Sequence, residues 1–336
     1  MDEVVTVGGV AVTPEAGKLA VEEAADRPYE RSADHLLEHH RLSLCKHTLE
    51  RLTQLVGGYW LDQDQQQVAQ RRRPLLQIAE APEVCVVFAD GVMVHTDGDW
   101  HEARVGSISS QRQVQTAQGL KTQTHKSSIV RFADPAAFGK HLFFRARELG
   151  YSQAKLKAFV GDGAHWLWNL ADRQFRHAIQ VLDFYHLSEH VHRCADGVLG
   201  EGSDAARRWA LEIKGTLRAG MVDEALQRVE ALPTLTDEHR QARQGLLTYL
   251  HNNRTRMDYP RYEKLGLPIG SGEVEAQCKA LVQARCKQSG MRWTTAGAQS
   301  LLRIRCAVRD GRFVNAFGHW TKPLTVWAHD HQPRAA

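Results

Sequence analysis

The sequence predicts an α/β protein built on a mixed β-sheet flanked by helices. Short apolar runs bounded by Gly, Asp or Pro occupy the centre of the chain, and such runs are typical of buried strands. Three of these runs come first, and helix, strand, helix and strand follow, which favours a mixed sheet over a parallel one. Helical periodicity on both sides of this block predicts an N-terminal helical domain and an all-helical insertion.

Composition narrows the class of protein. The chain has 336 residues, 43% hydrophobic and 24% charged, which suits two or three globular domains. No apolar run approaches the roughly 18 residues of a membrane span, and the N-terminus lacks a signal pattern, so we expect no membrane partner. Six scattered cysteines without a C-x-x-C pair favour neither a zinc ribbon nor a disulfide framework, and we expect a cytoplasmic protein.

Residues 1–75 are expected to form the N-terminal helical region and a linker. Helix-start signals predict three short helices over residues 13–57, the third starting near Ser43 and stopping at Gly57-Gly58. The second and third helices are spaced like a helix-turn-helix, which would make the third a DNA-reading helix, but a small helical bundle has the same pattern. The polar segment over residues 60–74 is interpreted as a linker or an exposed helix.

Residues 83–186 are expected to hold the first part of the sheet domain. The apolar run over residues 84–94 predicts the first strand, and Asp90-Gly91 interrupts it. A central strand has little use for a carboxylate, because a buried charge must be paired or metal-bound. Two further strands are predicted over residues 101–108 and 122–132.

The fourth predicted strand, residues 156–160, follows a helix over residues 134–150 and ends at Gly161-Asp-Gly163. A further helix leads to a fifth strand over residues 178–183. Ligands and metals bind outside the carboxyl ends of strands in open α/β sheets, which makes Asp162 a candidate site residue. An ordinary turn, in which Asp is chosen for local hydrogen bonds, is the alternative. The element order is also that of the ribonuclease H-like fold.

The rest of the chain is predicted to be helical. Leucine and alanine stripes over residues 187–268 predict a helical insertion, and residues 269–312 complete the core with helices over 273–287 and 295–310. Residues 313–336 are left as a C-terminal tail. Nine Lys or Arg and three Asp or Glu lie between residues 270 and 323, and such a basic region is the footprint of a phosphate-backbone partner.

Three acidic residues stand in comparable contexts: Asp90 in the first strand, Asp162 after the fourth, and Glu275 in the first turn of a late helix. Adjacent carboxylates repel each other and do not both stay ionised in a core without a cation. Two Mg²⁺ ions would resolve this repulsion and would promote an in-line displacement at phosphorus. The spacing alone is too loose to be a motif.

From Val84 to about Arg309 the chain resembles bacterial insertion-sequence transposases with a DDE catalytic core, specifically the ISKra type. The matching segments are Ala89-Asp-Gly91, Gly161-Asp-Gly-Ala-His-Trp-Leu-Trp168, Leu182-Asp-Phe-Tyr-His186, Gly270-Ser-Gly-Glu-Val-Glu275 and Arg285-Cys-Lys-Gln-Ser-Gly-Met-Arg-Trp293. The resemblance implies a ribonuclease H-like core in which Asp90, Asp162 and Glu275 are catalytic and bind two Mg²⁺ ions, with Mn²⁺ as a substitute. It also implies cleavage of transposon ends and strand transfer into target DNA.

Neighbouring residues compete for two of these roles. A helix turns about 200° over two residues, so Glu273 and Glu275 cannot both face one metal pair, and the family pattern favours Glu275. Asp183 and His186 resemble the Asp-x-x-His element of related transposases, which supports the site or contacts DNA. A zinc site is the alternative for this segment, formed with Glu189, His190, His192 and Cys194, although a satisfied polar cluster fits the loose spacing better.

The basic segment after the Glu275 helix supplies the candidates for DNA contact. They are Arg285, Lys287, Arg292 and Trp293, and a solvated basic surface is the alternative. The partners expected from the resemblance are DNA, as transposon ends and as target, and further copies of the chain in a homo-oligomer on that DNA. No organic cofactor is expected, and the protein would be associated with the nucleoid in the cytoplasm.

Two other functions fit the same features. A metal-dependent nuclease of the same fold would cleave DNA without strand transfer. An inactive or truncated transposase remnant would act only as a DNA-binding protein, and its binding would survive loss of all three acids. Related transposases often carry further N-terminal residues with a cysteine-bearing region, whereas this chain begins directly in the helical segment, which is consistent with a truncated copy.

Overall fold

The computed structural model describes residues 5–7, 10–70, 78 and 80–313. A short antiparallel hairpin, β1 (Val5–Val7) and β2 (Val10–Val12), precedes the N-terminal helices α1 (Pro14–Asp26), α2 (Tyr29–His40) and α3 (Lys46–Ala69). The sequence did not predict this hairpin. Within the part of the chain that is described, no helix is both long and apolar enough to cross a membrane.

The centre of the molecule is one mixed sheet of five strands. Its strands are β3 (Val84–Thr96), β4 (Asp99–Thr116), β5 (Gly119–Arg131), β6 (Leu156–Gly161) and β7 (Ile179–Leu182). Their spatial order is β5-β4-β3-β6-β7, with β3, β4 and β5 as an antiparallel meander and with β6 and β7 parallel to β3. The predicted order of strands and helices is confirmed.

Helices make up the rest of the described chain. Two of them connect the strands, α4 (Pro135–Glu148) and α5 (His165–Gln174). Five follow β7, namely α6 (Phe184–Leu199), α7 (Asp204–Arg218), α8 (Val222–Glu230), α9 (Asp237–Asn253) and α10 (Tyr259–Lys264). The last are α11 (Gly272–Gln277), α12 (Ala284–Cys286) and α13 (Thr295–Arg309), and a π-helical segment, Cys278–Gln283, joins α11 to α12.

Buried apolar side chains form two cores. The larger core lies between the sheet and its helices and includes Val87 of β3, Phe159 of β6 and Leu250 of α9. The smaller core lies between α1, α2, α3 and α13. The N-terminal helices therefore pack as a bundle on α13, while Lys46 and Arg51 at the start of α3 remain exposed.

The prediction that the third helix stops at Gly57-Gly58 is wrong, because α3 continues through both glycines to Ala69. A Cβ atom at position 57 would collide with the carbonyl oxygen of Ser300 in α13. Gly57 therefore allows α3 and α13 to cross closely, and it does not end the helix. Residues 71–74, the basic end of the predicted linker, lie outside the described residues.

Asp64, in the segment expected to be a linker or an exposed helix, lies in the last part of α3 with only 13% of its side chain exposed. Its carboxylate accepts hydrogen bonds from Arg131 (2.5 Å) and Arg303 (2.6 Å), and Arg145 lies 3.9 Å away. Burial alone would raise the pKa of Asp64, but the three guanidinium groups together hold it well below its usual range. This ionic cluster joins α3 to the sheet and to α13.

The hairpin of β4 and β5 is much longer than the two strands predicted over residues 101–108 and 122–132. Register pairs run from Arg104 opposite Arg131 to Thr116 opposite Gly119. Because β3 begins opposite Gln111, residues 112–123 leave the sheet as a two-stranded ribbon. The ribbon has no apolar alternation, which explains why its strands were not predicted.

Candidate active site

The three acids singled out from the sequence line one cleft beyond the carboxyl end of β6. Asp90 belongs to β3, Asp162 follows β6, and Glu275 lies in the first turn of α11. The cleft has a volume of about 280 Å³. Its other lining residues are Ala89, Tyr185, His186, Glu189 and Ser271.

Strand register explains why Asp90 and Asp162 lie at the same level. The last pair between the parallel strands β3 and β6 joins Phe88 to Val160. Each aspartate lies two residues beyond its member of that pair, on neighbouring strands that are about 4.8 Å apart. Successive side chains of a strand alternate between faces, so Asp90 shares the sheet face of Phe88, and both aspartates line the same cleft.

The environment of Asp90 disfavours its negative charge. One carboxylate oxygen accepts a hydrogen bond from the amide of Gly91 (2.7 Å), and the thiol of Cys278 donates to the other (3.6 Å). Burial raises the pKa of Asp90, and the charges of Asp162 and Glu275 add to the rise, while the Gly91 hydrogen bond opposes it. Such a site gains from a bound cation.

Asp162 is held in a turn, so the structural and functional interpretations of Gly-Asp-Gly are compatible. Its side chain accepts from the amide of Ala164 (2.9 Å), and the hydroxyl of Tyr249 donates to its backbone carbonyl (2.6 Å). Gly163 has a φ of +103°, and a Cβ atom there would lie 2.7 Å from the Tyr249 ring. The turn therefore needs glycine for its backbone conformation and for this contact.

Helix α9 supports the Asp162 turn through an aromatic stack. The ring of His190 lies 3.9 Å from that of Tyr249, nearly parallel to it. Burial and the neighbouring His186 and Arg193 lower the pKa of His190 to about 4, so the stacked imidazole is neutral at pH 7. The helical block after β7 thus contributes directly to the geometry of the cleft.

Glu273 and Glu275 point in different directions. Glu275 lines the cleft and accepts a hydrogen bond from Ser271 (3.0 Å). Glu273 accepts from Ser107 (3.3 Å) and pairs with Lys126, so it faces the antiparallel half of the sheet. The structure brings Glu275, and not Glu273, together with the two aspartates.

Asp183 connects the end of β7 to the start of α11. It is 1% exposed, and it accepts hydrogen bonds from the amides of Tyr185 (2.6 Å) and His186 (3.2 Å) at the start of α6. Its second oxygen accepts from the amide (3.0 Å) and the hydroxyl of Ser271. Since Ser271 also bonds Glu275, Asp183 is placed to position the third acid rather than to line the cleft.

His186 lines the cleft, and its Nδ1 lies 3.6 Å from a carboxylate oxygen of Glu189. The zinc alternative for this segment gains no support. Nε2 of His192 is 3.1 Å from Lys214, and Cys194 is buried at 2% exposure. Among the described residues, this segment forms no compact set of metal ligands.

The donor atoms of the cleft suit Mg²⁺. They include the carboxylate oxygens of Asp90, Asp162 and Glu275, with Glu189, a hydroxyl and an imidazole beside them, and hard divalent cations prefer oxygen ligands. The pKa of Asp90 is raised, chiefly by burial and further by the neighbouring acids, so a bound cation would favour its ionised form. Among the described residues, the three carboxylates do not form as compact a ligand set as Glu23, His35 and His40 do.

The structure corrects the DNA-contact prediction for Arg285. This side chain is 1% exposed, and it donates to the carbonyl of Ala24 (3.4 Å). Its guanidinium lies 5.0 Å from the ring centres of both Tyr29 and Trp293. Trp293 is half-buried in this stack, so both residues hold the structure together.

Lys287 and Arg292 are exposed, as a DNA contact requires. The ammonium of Lys287 lies 5.8 Å from the ring centre of Trp100, and Trp100 is itself 54% exposed at the tip of the β3–β4 hairpin. Sequence reasoning missed Trp100 because it lies far from the basic segment along the chain.

Besides Arg285, three arginines of the C-terminal segment form ionic or hydrogen-bonded contacts within the protein. Arg303 bonds Asp64, Arg305 bonds Asp26 and the carbonyl of Leu281, and Arg312 bonds Asp310. Arg305 is only 1% exposed. The interpretation of residues 270–323 as a basic surface footprint is therefore wrong for these arginines.

Three residues of the site were not predicted from the sequence. Tyr249 supports the Asp162 turn, Ser271 links two acids, and Cys278 donates to Asp90. Ser271 lay within a segment that carried a family resemblance, but nothing in the sequence indicated its partners. Tyr249 had no local signal, because only tertiary packing brings α9 to the cleft.

Comparison with protein-family models and with curated proteins finds no match to this chain.

Proposed function

We propose that this protein is a DDE transposase that cuts DNA at transposon ends and joins the freed 3′ hydroxyl to target DNA. The observation that carries the proposal is the level placement of Asp90 and Asp162 on adjacent parallel strands, with Glu275 facing them in the same cleft. In this proposal the mixed sheet, with its order β5-β4-β3-β6-β7, serves as a ribonuclease H-like core, and the helical block from α6 to α10 serves as its insertion.

In this proposal Asp90, Asp162 and Glu275 hold two Mg²⁺ ions, and Mn²⁺ substitutes for them. When bound, such a pair activates the attacking oxygen and stabilises the leaving oxygen in an in-line displacement at phosphorus. The protein's contribution is to fix its carboxylates beforehand. Strand register fixes Asp90, the Tyr249 hydrogen bond fixes the Asp162 turn, and Ser271 and Asp183 fix Glu275.

His186 and Tyr185 complete the cleft on the side of α6. Tyr185 is 64% exposed and lines both the acidic cleft and a larger groove of about 800 Å³ along the sheet face. We assign this groove as the path by which a DNA strand reaches the acids. His186 is positioned to donate a hydrogen bond to a phosphate oxygen in the cleft.

The outer part of the β4–β5 hairpin supports a nucleic-acid substrate. Residues 103–133 contain no Asp or Glu, but four of their five Lys or Arg side chains pair with acids outside this segment, and Lys121 of the ribbon is the exception among the described ion pairs. The part that leaves the sheet, residues 112–123, exposes glutamine, threonine and lysine side chains. A two-stranded ribbon fits the major groove of B-DNA, where amide side chains bond base edges. Lys287, which lies beside Trp100, and the exposed Arg292 are further candidates for DNA contact, and they replace the predicted contact at Arg285.

The test is cleavage of DNA carrying the element's own ends, in Mg²⁺ or Mn²⁺, by the unaltered protein and by Asp162→Asn. Asp172→Asn is the matched control, because Asp172 lies in α5 and bonds Gln180 outside the cleft. We expect the unaltered protein and the control to cleave, and Asp162→Asn to lose at least about 100-fold in rate.

The products of the same reaction separate the proposal from its rivals. Joined products of transposon end and target are expected for a transposase, whereas cleavage without joining would identify a nuclease. Binding without cleavage by the unaltered protein would identify a DNA-binding remnant. Equal cleavage by Asp162→Asn would show that the activity does not depend on this cleft.

A further inference from the structure

A second group of metal-ligating side chains lies at the corner between α1 and α2, remote from the acidic cleft in the sequence. It consists of Glu23 of α1 and of His35 and His40 of α2, and the ligand atoms of all three lie within 4.8 Å of one another. His39 adjoins the group, with its ring 4.3 Å from that of His35. Of the described residues, no other set of three or more His, Cys, Asp or Glu side chains is as compact.

The Nδ1 atom of His35 lacks a hydrogen bond in the metal-free protein. This atom is buried and has no hydrogen-bond partner, although a carboxylate oxygen of Glu23 lies only 3.2 Å away. A buried polar atom without a partner is unfavourable. A cation bound by both atoms would satisfy the nitrogen and the carboxylate together.

We propose that Glu23, His35 and His40 bind a divalent transition-metal ion, with Zn²⁺ as the preferred ion. Two imidazole nitrogens and one carboxylate oxygen form a ligand set that Zn²⁺ takes in proteins. Ligands at about 2.0–2.2 Å from a tetrahedral ion are roughly 3.3 Å from each other, close to the His35–Glu23 separation. His39 or a water molecule would occupy the fourth position.

This site differs in chemistry from the acidic cleft. The cleft offers oxygen ligands, which suit Mg²⁺, whereas nitrogen ligands favour borderline ions such as Zn²⁺, Co²⁺ and Ni²⁺. The ligands come from two helices, and Ser32 of α2 already donates to the backbone carbonyl of Glu23 (3.2 Å). Metal binding would therefore join α1 to α2, and it is independent of the proposed transposase activity.

Arg27 would compete with a metal ion for the carboxylate of Glu23. Its guanidinium pairs with the same oxygen of Glu23 that faces His35. The Arg27 side chain is 44% exposed, so it is free to turn toward solvent when an ion takes this oxygen. Removal of Arg27 should therefore strengthen metal binding, whereas removal of a ligand should weaken it.

The experiment is a calorimetric titration of the full-length protein with Zn²⁺ in excess Mg²⁺, followed by the absorption spectrum of the Co²⁺-loaded protein. We expect one Zn²⁺ per chain and the visible bands of Co²⁺ with four ligands. His35→Gln and the exposed His40→Gln should each weaken binding at least tenfold, and Arg27→Gln should strengthen it severalfold. His47→Gln, an exposed histidine of α3 outside the group, should leave binding unchanged.

Each remaining outcome would overturn the proposal. If His40→Gln, which changes only an exposed side chain, binds Zn²⁺ as tightly as the unaltered protein, these residues do not hold the ion. If the unaltered protein takes up no Zn²⁺ in this titration, there is no site here. If binding is lost with Asp162→Asn instead, the ion occupies the acidic cleft.

Discussion

Asp90 is an acidic residue in a buried strand, and its surroundings disfavour its negative charge. Only Gly91 and Cys278 donate hydrogen bonds to it among the described residues, and both other acids of the cleft repel its charge. The disfavoured charge lowers the stability of the metal-free protein, and a bound cation would offset this loss. Under the proposed function, the stability of the metal-free protein and metal binding therefore oppose each other at this residue.

Asp90→Asn should raise the thermal midpoint of the metal-free protein at pH 7 while abolishing metal-dependent cleavage. The pKa of Asp90 is raised in the folded state, so its contribution to stability is full at low pH and is lost as pH rises through the folded pKa. Thermal unfolding in a chelator should show a larger gain at pH 7 than below about pH 3.9, the usual pKa of Asp. A lower midpoint at pH 7 would contradict this account.

Asp64 is the opposite case, a buried carboxylate with three arginine neighbours. Asp64→Asn leaves Arg131, Arg145 and Arg303 without their shared anion, and it should lower the free energy of unfolding by about 3–5 kcal/mol. Urea denaturation at pH 7 measures this loss.

The pH dependence gives the control for Asp64. Its folded pKa lies well below the usual value, so its stabilisation is present above about pH 3.9 and is lost as pH falls toward the folded pKa. The difference between Asp64→Asn and the unaltered protein should therefore shrink below pH 4. A difference that stays constant over this range would mean that the ionic cluster is not its source.

Helix α9 acts on the cleft through one hydrogen bond, from Tyr249 to the carbonyl of Asp162. Tyr249→Phe removes this bond, worth about 1 kcal/mol, and should slow cleavage about fivefold if the turn loosens. Tyr262→Phe is the matched control, because its hydroxyl donates to the carbonyl of Gln180 in β7 instead. Single-turnover cleavage rates should fall for Tyr249→Phe only. Equal rates for both variants would show that the Tyr249 hydrogen bond from α9 does not affect the site.

The ribbon of residues 112–123 is expected to contact DNA without taking part in the chemistry. Arg112 and Gln123 are directly paired, so an Asn-Gly turn can replace residues 113–122 and close the hairpin at that pair. The shortened protein should bind duplex DNA roughly tenfold more weakly and with weaker salt dependence, because Lys121 is removed. Its cleavage rate at saturating DNA should be unchanged, and unchanged binding would exclude the ribbon as a contact.

At the scale of elements, the sequence predicted the helices and strands that have a local hydrophobic periodicity. The strands that carry apolar runs and the helices between them are where periodicity placed them. The ribbon was missed because its polar strands are stabilised by pairing rather than by a buried face. The length of α3 was missed because Gly57 meets α13, a contact between residues far apart in the sequence.

At the scale of the whole molecule, the C-terminal segment joins the N-terminal helices to the sheet domain. Arg285 donates to Ala24, and Arg305 donates to Ala25 and Asp26, at the end of α1. A sequence gives net charge but not burial, which is why these arginines resembled a DNA footprint. The cleft was predictable because its acids follow recognisable strand and helix ends, whereas its supporting contacts come from elements remote in the chain.

The most direct test of the central claim compares Glu275→Gln with Glu273→Gln. The two residues share one helix turn, but only Glu275 lines the cleft with Asp90 and Asp162, while Glu273 pairs with Lys126. Metal-dependent cleavage of transposon-end DNA should fall at least about 100-fold for Glu275→Gln and less than about threefold for Glu273→Gln. A loss confined to Glu273→Gln, or cleavage retained by both variants, would contradict the proposed site.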